Sequence, residues 1–256
     1  MPSQLAASHG EPSYVWRTGQ HRRLEMILRA APEIAGGSFL EVGCGLGLYL
    51  ERLGPKAEAA VGVEFEPDRA KDASARCDTA SVVVAANEAL PFPSGSFDVV
   101  LTNEVIEHVL DDTVSAAELV RVLRPGGKLV LFCPNRWYPV EQHGVYWRGT
   151  YHFGNIPLVN YLPDPLRDRL APHVRAYSLR RLRALFADQS VREISHRRVF
   201  GGYDNLVGRL GLAGRLLRRV LQGAEGTPMD FFALSHMLVL QRVEDGADGR
   251  GVLRGA

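Results

Sequence analysis

Apolar residues recur along this chain in two rhythms. From Arg22 to Ala30 they return at helical spacing. Five short runs after that are almost continuously apolar: Ser38 to Val42, Ala60 to Phe65, Ser81 to Ala85, Asp98 to Thr102 and Lys128 to Cys133, with helical patterns between most of them. Such runs predict strands buried on both faces, and their alternation with helices predicts crossover units and a parallel sheet. Two later stretches, "VREISHRRVF" and "ALSHMLVLQRV", read as further strands that can close a sheet edge. "SLRRLRALF" predicts a helix with Ser178 as its N-cap. In "NLVGRLGLAGRLLRRVL" the residues Leu206, Leu210, Ala213, Leu217 and Val220 are spaced helically, with Arg209, Arg215, Arg218 and Arg219 among them. That pattern is a basic amphipathic helix, weakened by Gly208, Gly211 and Gly214. The ordinary use of such a face is packing within or between chains, and contact with an anionic membrane surface stays open beside it.

Length and composition narrow the class. With 256 residues, 46% of them apolar, the chain can bury one α/β domain with an appendage. The stretch "MPSQLAASHGEPSYVW" lacks the apolar centre of a signal peptide, and no segment approaches the roughly 18 apolar residues of a membrane span. A cytoplasmic protein is expected, peripheral at the inner membrane face if the basic helix meets lipid. Cys44, Cys77 and Cys133 form no CxxC pair, so packed, reduced thiols are predicted. The net charge of +1 hides an asymmetry: 136 to 221 holds fifteen arginines, no lysine and six acids, a local +9 that leaves −8 for the remainder. A solvated basic face and an anionic partner both fit that distribution.

The candidate chemistry begins at "FLEVGCGLGLYL". A strand ending in Glu41 is followed by Gly43, Gly45 and Gly47 and then by a helical pattern, which predicts a tight turn at the carboxyl edge of the sheet, where side chains would obstruct a ligand. The next strand, "AVGVEF", ends in Glu64, where an acid can accept hydrogen bonds from both hydroxyls of a ribose. Together they predict a nucleotide-like cofactor. Glu41, just before the turn, would repel a pyrophosphate and suits a cationic, amino-acid-bearing cofactor instead.

Over Phe39 to Asn135 the sequence resembles the class I S-adenosylmethionine-dependent methyltransferases in four ordered motifs. "FLEVGCGLG" looks like their first, "VGVEFEPDRA" their ribose-binding second strand, "EALPFPSGSFDVVLTNEVIEHV" their third and fourth, and "ELVRVLRPGGKLVLFCPN" the helix and fifth strand. The resemblance implies S-adenosyl-L-methionine as cofactor and an α/β fold: a Rossmann-like, seven-stranded, mostly parallel sheet with an antiparallel last strand, helices on both faces and a lid after the fifth strand. On that frame 1–36 is a helical cap and 37–134 the cofactor-binding core. A substrate-side insertion follows at 135–177, then the rest of the core at 178–243 with a helical insertion at about 204–224, and 244–256 is a disordered tail. Glu41 is expected near the methionine end, Gly43, Gly45 and Gly47 under the cofactor, Glu64 on the ribose and Phe65 against the adenine, with Asn87 and Asn103 completing the contacts. Relatives commonly carry an aspartate where Ala86 stands, so Asn87 or Glu88 must substitute.

If "NEVIEHV" opens a helix, Glu104, Glu107 and His108 share one face, where two carboxylates and an imidazole can hold a divalent ion. A similar Glu-x-x-Glu-His arrangement occurs in ubiquinone-biosynthesis O-methyltransferases and small-RNA 2′-O-methyltransferases, where it is associated with a metal, which here would be Mg2+ or Mn2+. The motif is also widespread without any metal, with His108 as a base or packing residue, and both readings stay open. Beyond the fifth strand, "CPNRWYPVEQHG" brings Asn135, Glu141 and His143 to the acceptor side; His143 is the first choice for general base or extra ligand, with His108 the other catalytic candidate. A base or metal serves a hydroxyl, so the expected acceptor is a small molecule such as a sugar, quinol or lipid-linked glycan. RNA 2′-O-methylation is the opposing reading, favoured by the +9 segment but unaccompanied by an RNA-binding module, so nucleic acid is not the expected partner. A non-catalytic cofactor-binding regulator is a third. The chain is expected to be a monomer or a homodimer.

Overall fold

A strand covered on both faces must be apolar at successive positions, and the central strands meet that requirement residue by residue. The computed structural model describes residues 15–243. In β1 (Ser38–Val42), Leu40 and Val42 enter one core and Phe39 the other. In β4 (Phe97–Asn103) Val100 faces the first core while Val99 and Leu101 face the second, and β5 (Leu123–Pro134) divides Leu129 and Leu131 from Val130 and Phe132 in the same way. With β2 (Ala59–Glu64), β3 (Ser81–Val84), β10 (Val191–Val199) and β11 (Ser235–Arg242) they form one seven-stranded sheet, in the order β10, β11, β5, β4, β1, β2, β3. β11 alone runs opposite to the other six strands. This is the Rossmann-like α/β sheet that the sequence implies, with the antiparallel strand last.

One consequence governs everything functional. The parallel strands all end at one edge, at Val42, Glu64, Val84, Asn103 and Pro134, and β11 starts there with Ser235 beside both Pro134 and the end of β10 at Val199. Helices cover both faces: α1 (Thr18–Ala30) buries Met26 and Ile27 in the second core, α2 (Leu50–Leu53) and α3 (Pro67–Arg76) pack on the same side, and α4 (Asp112–Arg121) buries Ala116, Leu119 and Val120 in the first. After β5 come two small ladders, β6 (Val140–Glu141) with β9 (Ile156–Pro157) and β7 (Val145–Trp147) with β8 (Thr150–His152), followed by α5 (Asp164–Leu170). Helix α6 (Leu179–Ala184) is capped by Ser178, whose Oγ accepts from Arg181 N at 3.3 Å. The start of the expected cap, 1–14, and the expected tail, 244–256, lie outside the described residues.

Two expectations change. "NEVIEHV" is not helical: Glu104 takes a φ of 57°, the chain turns irregularly as far as Leu110, and α4 begins only at Asp112. The carbonyls a helix would use internally are taken from outside. Tyr177 Oη donates to Ile106 O at 3.1 Å, Arg175 N to Glu107 O at 3.0 Å and the Arg175 guanidinium to Val109 O and Leu110 O. Asp111 then caps α4, accepting from Thr113 N and Val114 N. The predicted basic helix is also two helices, α7 (Asp204–Leu210) and α8 (Leu212–Gly223), broken at Gly211 with a φ of 56°. Gly214 lets them meet, since a Cβ there would lie 2.8 Å from Leu206 O.

The segment before α7 also anchors α1. Gly202 packs backbone to backbone on Gly19, where a Cβ would fall 2.5 Å from Gly19 N, and Arg22 donates to Phe200 O at 3.1 Å and pairs with Glu225. Gly202→Ala should therefore push α1 off and cost about 2 kcal/mol, the usual scale of overpacking. Gly208→Ala, inside α7 with nothing within 4 Å of the new methyl, should instead stabilise by about 0.5–1 kcal/mol. Urea unfolding of the pair checks both signs, and a Gly202→Ala protein as stable as the parent would contradict the packing argument.

Candidate active site

Side chains just past the last ladder bond of a parallel strand can reach the crevice at the sheet edge. After β1 the chain turns through Gly43, Gly45 and Gly47 at φ of 76°, 57° and 75°, the left-handed region that glycine enters without strain. Gly43 and Cys44 both donate to Val63 O, which ties the turn to β2. Gly45 N donates to Glu64 Oε2 at 2.8 Å and Glu66 N to Oε1 at 3.0 Å, so each Glu64 oxygen keeps a lone pair for a further donor. Two of the glycines also make room for protein. A Cβ on Gly43 would lie 2.4 Å from Val105 Cγ2, and one on Gly47 2.9 Å from Cys77 Sγ; protein fills that space.

Glu41 and Asn87 hold polar atoms in reserve. Burial pushes the Glu41 carboxyl up, the Leu50 backbone hydrogen bond only partly opposes it, and the nearby charge of Glu64 adds to it, so the group stands at about 8. Its Oε2 has no partner among the described residues, and neither has the buried Nδ2 of Asn87. Phe65 stands at the same edge at 52% exposure. Glu88 is committed elsewhere: its Oε1 accepts from Leu110 N and Asp111 N.

The end of β4 is held by a residue from the opposite end of the chain. Arg23, on α1, donates to Asn103 Oδ1, Glu104 Oε1 and Ser235 Oγ, each at 2.7 Å. Burial alone would raise the Glu104 carboxyl, but the charge of Arg23 with hydrogen bonds from Ser235 and Arg23 outweighs it and holds the group below its ordinary range. Glu107 has no such partner. Burial first, and the Glu104 charge second, lift its carboxyl well above the ordinary range, and both its oxygens lack hydrogen-bond partners among the described residues.

The expected trio of Glu104, Glu107 and His108 is therefore not the group the fold assembles. Glu104 is spent on Arg23, and His143 takes its place: one ligand atom each from Glu107, His108 and His143 lie within 4.8 Å of one another. The rings of His108 and His143 meet edge to face at 5.1 Å. His108 Nδ1 contacts His173 O at 3.3 Å, and burial, then the charge of His143, push its imidazole down to about 3, so it is neutral at physiological pH. His143 Nδ1 lies 2.9 Å from Glu141 Oε1, a pairing that leaves Nε2 with its lone pair. Buried Arg167 completes the set, donating to Glu141 Oε2 at 2.9 Å, Val174 O at 2.9 Å and Asn160 Oδ1 at 3.2 Å. Burial would raise Glu141, but hydrogen bonds and charge from His143, with Arg167, hold it down at about 2.

Asn135, the third residue expected from this segment, is instead structural, its amide donating to Phe231 O and Ala233 O. Sequence reasoning missed Arg23, Arg167, His173 and Arg175. Each acts on a partner far away in the chain, and local patterning carries no signal of that.

Residues 40–131 match the family model described as a methyltransferase domain. A protein of Mycolicibacterium smegmatis named "Probable S-adenosylmethionine-dependent methyltransferase" is 34% identical over 116 residues, 45% of this chain and 45% of that protein. A "Ubiquinone biosynthesis O-methyltransferase" of Parvibaculum lavamentivorans is 30% identical over 172 residues, covering 59% of this chain and 64% of its own length. The chain thus spans about half the length of the first curated relatives it matches, 45% and 53%. Among solved structures, an S-adenosylmethionine-dependent methyltransferase from Mesorhizobium loti superposes with a TM-score of 0.62 at 18% identity, over 88% of this chain and 98% of that one, a likeness of fold.

The Arg23 junction gives a stability prediction. Arg23→Ala leaves the partly exposed Glu104 beside Glu107 without its cation and should cost about 1–2 kcal/mol in urea unfolding at neutral pH. The sign with pH follows from the lowered carboxyl: its stabilisation is complete above its ordinary 4.5 and fades as pH falls through the lowered value. The gap between parent and variant should shrink in acid. A gap that is constant with pH, or absent, contradicts the account.

Proposed function

Residues 40–131 belong to the class I S-adenosylmethionine-dependent methyltransferases, and from that premise we propose that the chain transfers the methyl group of S-adenosyl-L-methionine to a hydroxyl of a small molecule. The cofactor half of this reading is supported by the unpartnered atoms. A buried carboxyl with a free oxygen, Glu41, suits an ammonium; Glu64 retains a lone pair on each oxygen for ribose hydroxyls; the free amide of Asn87 suits a ring-nitrogen acceptor, and Phe65 is a half-exposed aromatic at the same edge.

The hydroxyl reading rests on one observation, the Glu141–His143 pair at 2.9 Å. Methyl transfer forms a carbon–oxygen bond as the carbon–sulfur bond breaks, and the sulfonium leaves as a neutral thioether. The hydroxyl proton must go somewhere. With Nδ1 held by Glu141, Nε2 of His143 is the acceptor, and the imidazolium that forms sits against a carboxylate kept ionised by its own lowered value and by Arg167. His143 is thus the proposed base and Glu141 and Arg167 position it. An amine that arrives neutral already carries its lone pair and can shed its proton to water after transfer, so it has less need of such a pair. Neutral His108, edge-on to the His143 ring, is proposed as a wall of the acceptor site.

A second reading has its own observation: Glu107, His108 and His143 offer three ligand atoms within 4.8 Å, with both Glu107 oxygens free. A carboxylate with two imidazoles fits Mn2+ better than the oxygen-seeking Mg2+. A metal held there would lower the pKa of the acceptor hydroxyl.

Two experiments test the proposal. Because Glu41 stands at about 8, it is mostly protonated at pH 7, and a cofactor ammonium favours its ionised form. Binding of S-adenosylmethionine should then release close to one proton at pH 7, with affinity rising towards tenfold per unit from about pH 6 to 7.5. Calorimetry in buffers of different ionisation enthalpy reads this, and Glu41→Gln should abolish it. No proton release by the parent sinks the assignment of Glu41.

For the chemistry, labelled S-adenosylmethionine is offered to sugars, quinols, amines and RNA. Hydroxylated small molecules should accept label, His143→Ala should lower kcat by about a hundredfold or more, and Glu141→Gln by about tenfold, with cofactor affinity unchanged. Exhaustive chelation should leave the rate intact. Loss of turnover on chelation with restoration by Mn2+ would put the metal reading in its place, and label passing only to amines or RNA would overturn the acceptor class.

A further inference from the structure

An amphipathic helix in a folded chain normally turns its apolar side inward. Helix α8 does the reverse. Leu212, Leu216 and Val220, one turn apart on a single face, are 77%, 64% and 60% exposed, and Ala213 and Leu217 widen the strip. The side turned to the protein is made by buried Gly214, by Leu221 and Gln222, and by Arg218, which reaches Asp204 and Gly202 O. Leu210, at the end of α7, adds a further exposed leucine at 51%. Arg215 and Arg219 border the strip along one side, with Arg209 on α7; all three are exposed and form no ion pair among the described residues.

We propose that the exposed face of α7 and α8 docks on an anionic phospholipid surface, with the leucine strip entering the interface and Arg209, Arg215 and Arg219 meeting the headgroups. Charge decides between this occupant and a second copy of the chain. The stretch Leu212–Gly223 carries three arginines and no acid, so a two-fold contact of this face with itself would set arginine rows near one another without a carboxylate to answer them. An anionic bilayer supplies both the apolar layer and the countercharge, and the +9 of 136–221 extends the attraction. The location fits as well. Both helices lie between the end of β10 and the start of β11, at the sheet edge that carries the candidate active site, so docking would bring that edge to the membrane. The proposal does not depend on methyl transfer.

The test uses the full chain and sedimentation with two kinds of vesicle, pure phosphatidylcholine and phosphatidylcholine with roughly 30 mol% phosphatidylglycerol. Binding is expected to the second and not the first, and to weaken strongly in roughly 0.5 M salt, where the Debye length is about 4 Å. Leu216→Glu with Val220→Glu should abolish it. Arg215→Gln with Arg219→Gln should weaken it about twenty-five-fold, near fivefold for each charge removed. All four positions are on the surface, so both variants should melt with the parent. Absence of binding to phosphatidylglycerol vesicles overturns the proposal, as does equal binding to neutral ones. So does a dimer in analytical ultracentrifugation that Leu216→Glu converts to monomer, because the strip then belongs to a second copy.

Discussion

The hydrogen bonds that Tyr177 and Arg175 make to the carbonyls of Ile106, Glu107, Val109 and Leu110 determine the shape of the candidate site. Buried carbonyls must be satisfied, and either a helix or a neighbouring segment can do it. Here the neighbour wins. Had the helix formed, Glu104, Glu107 and His108 would have lined one face. Because it does not, Glu104 turns towards α1 and Ser235, while Glu107 and His108 turn towards the insertion and meet His143.

Electrostatics follow from that separation. Partly exposed Glu104 and buried Glu107 still feel each other's charge, and such a pair is not ionised together without compensating charge. Arg23 compensates one, so Glu104 keeps its charge and Glu107 is pushed towards the neutral acid. Next to it His108 is driven neutral by burial. The remaining charge around the cluster is the Arg167 and Glu141 pair, itself buried. A buried ion pair of this kind contributes little net stability, and its evident consequence is to fix the orientation of the His143 ring.

How much of this was legible in the sequence depends on the range of the interaction involved. Strands buried on both faces write their position into consecutive apolar residues, and β1 occupies the predicted Ser38 to Val42. Glu64 was legible too, since its place at the end of β2 is a local matter. The turn glycines were legible as a turn but not in their full purpose: Gly43 is small because Val105, sixty-two positions later, stands over it. The helix expected at Glu104 failed because the deciding donors lie about seventy residues away, beyond any spacing rule. Arg23 and Arg167 left no trace for the same reason, and Gly211 ended a helix that the apolar spacing alone would have continued.

The insertion after β5 is consequently more than a cover over the crevice. It supplies His143 and its partners Glu141 and Arg167, and through His173, Arg175 and Tyr177 it also sets the backbone of the loop that carries Glu107 and His108. The glycine turn, Glu41 and Glu64 depend instead on β1 and β2, which the insertion does not touch in pairing or register. Two halves of the crevice therefore answer to different parts of the chain. A change in the insertion reaches the proposed acceptor side by two routes, directly through His143 and indirectly through the 106–110 carbonyls, and touches the proposed cofactor side where Val105 packs over Gly43 and Leu110 N donates to Glu88. Divergence of the proposed acceptor within a cofactor frame held mainly by β1 and β2 is what that wiring permits.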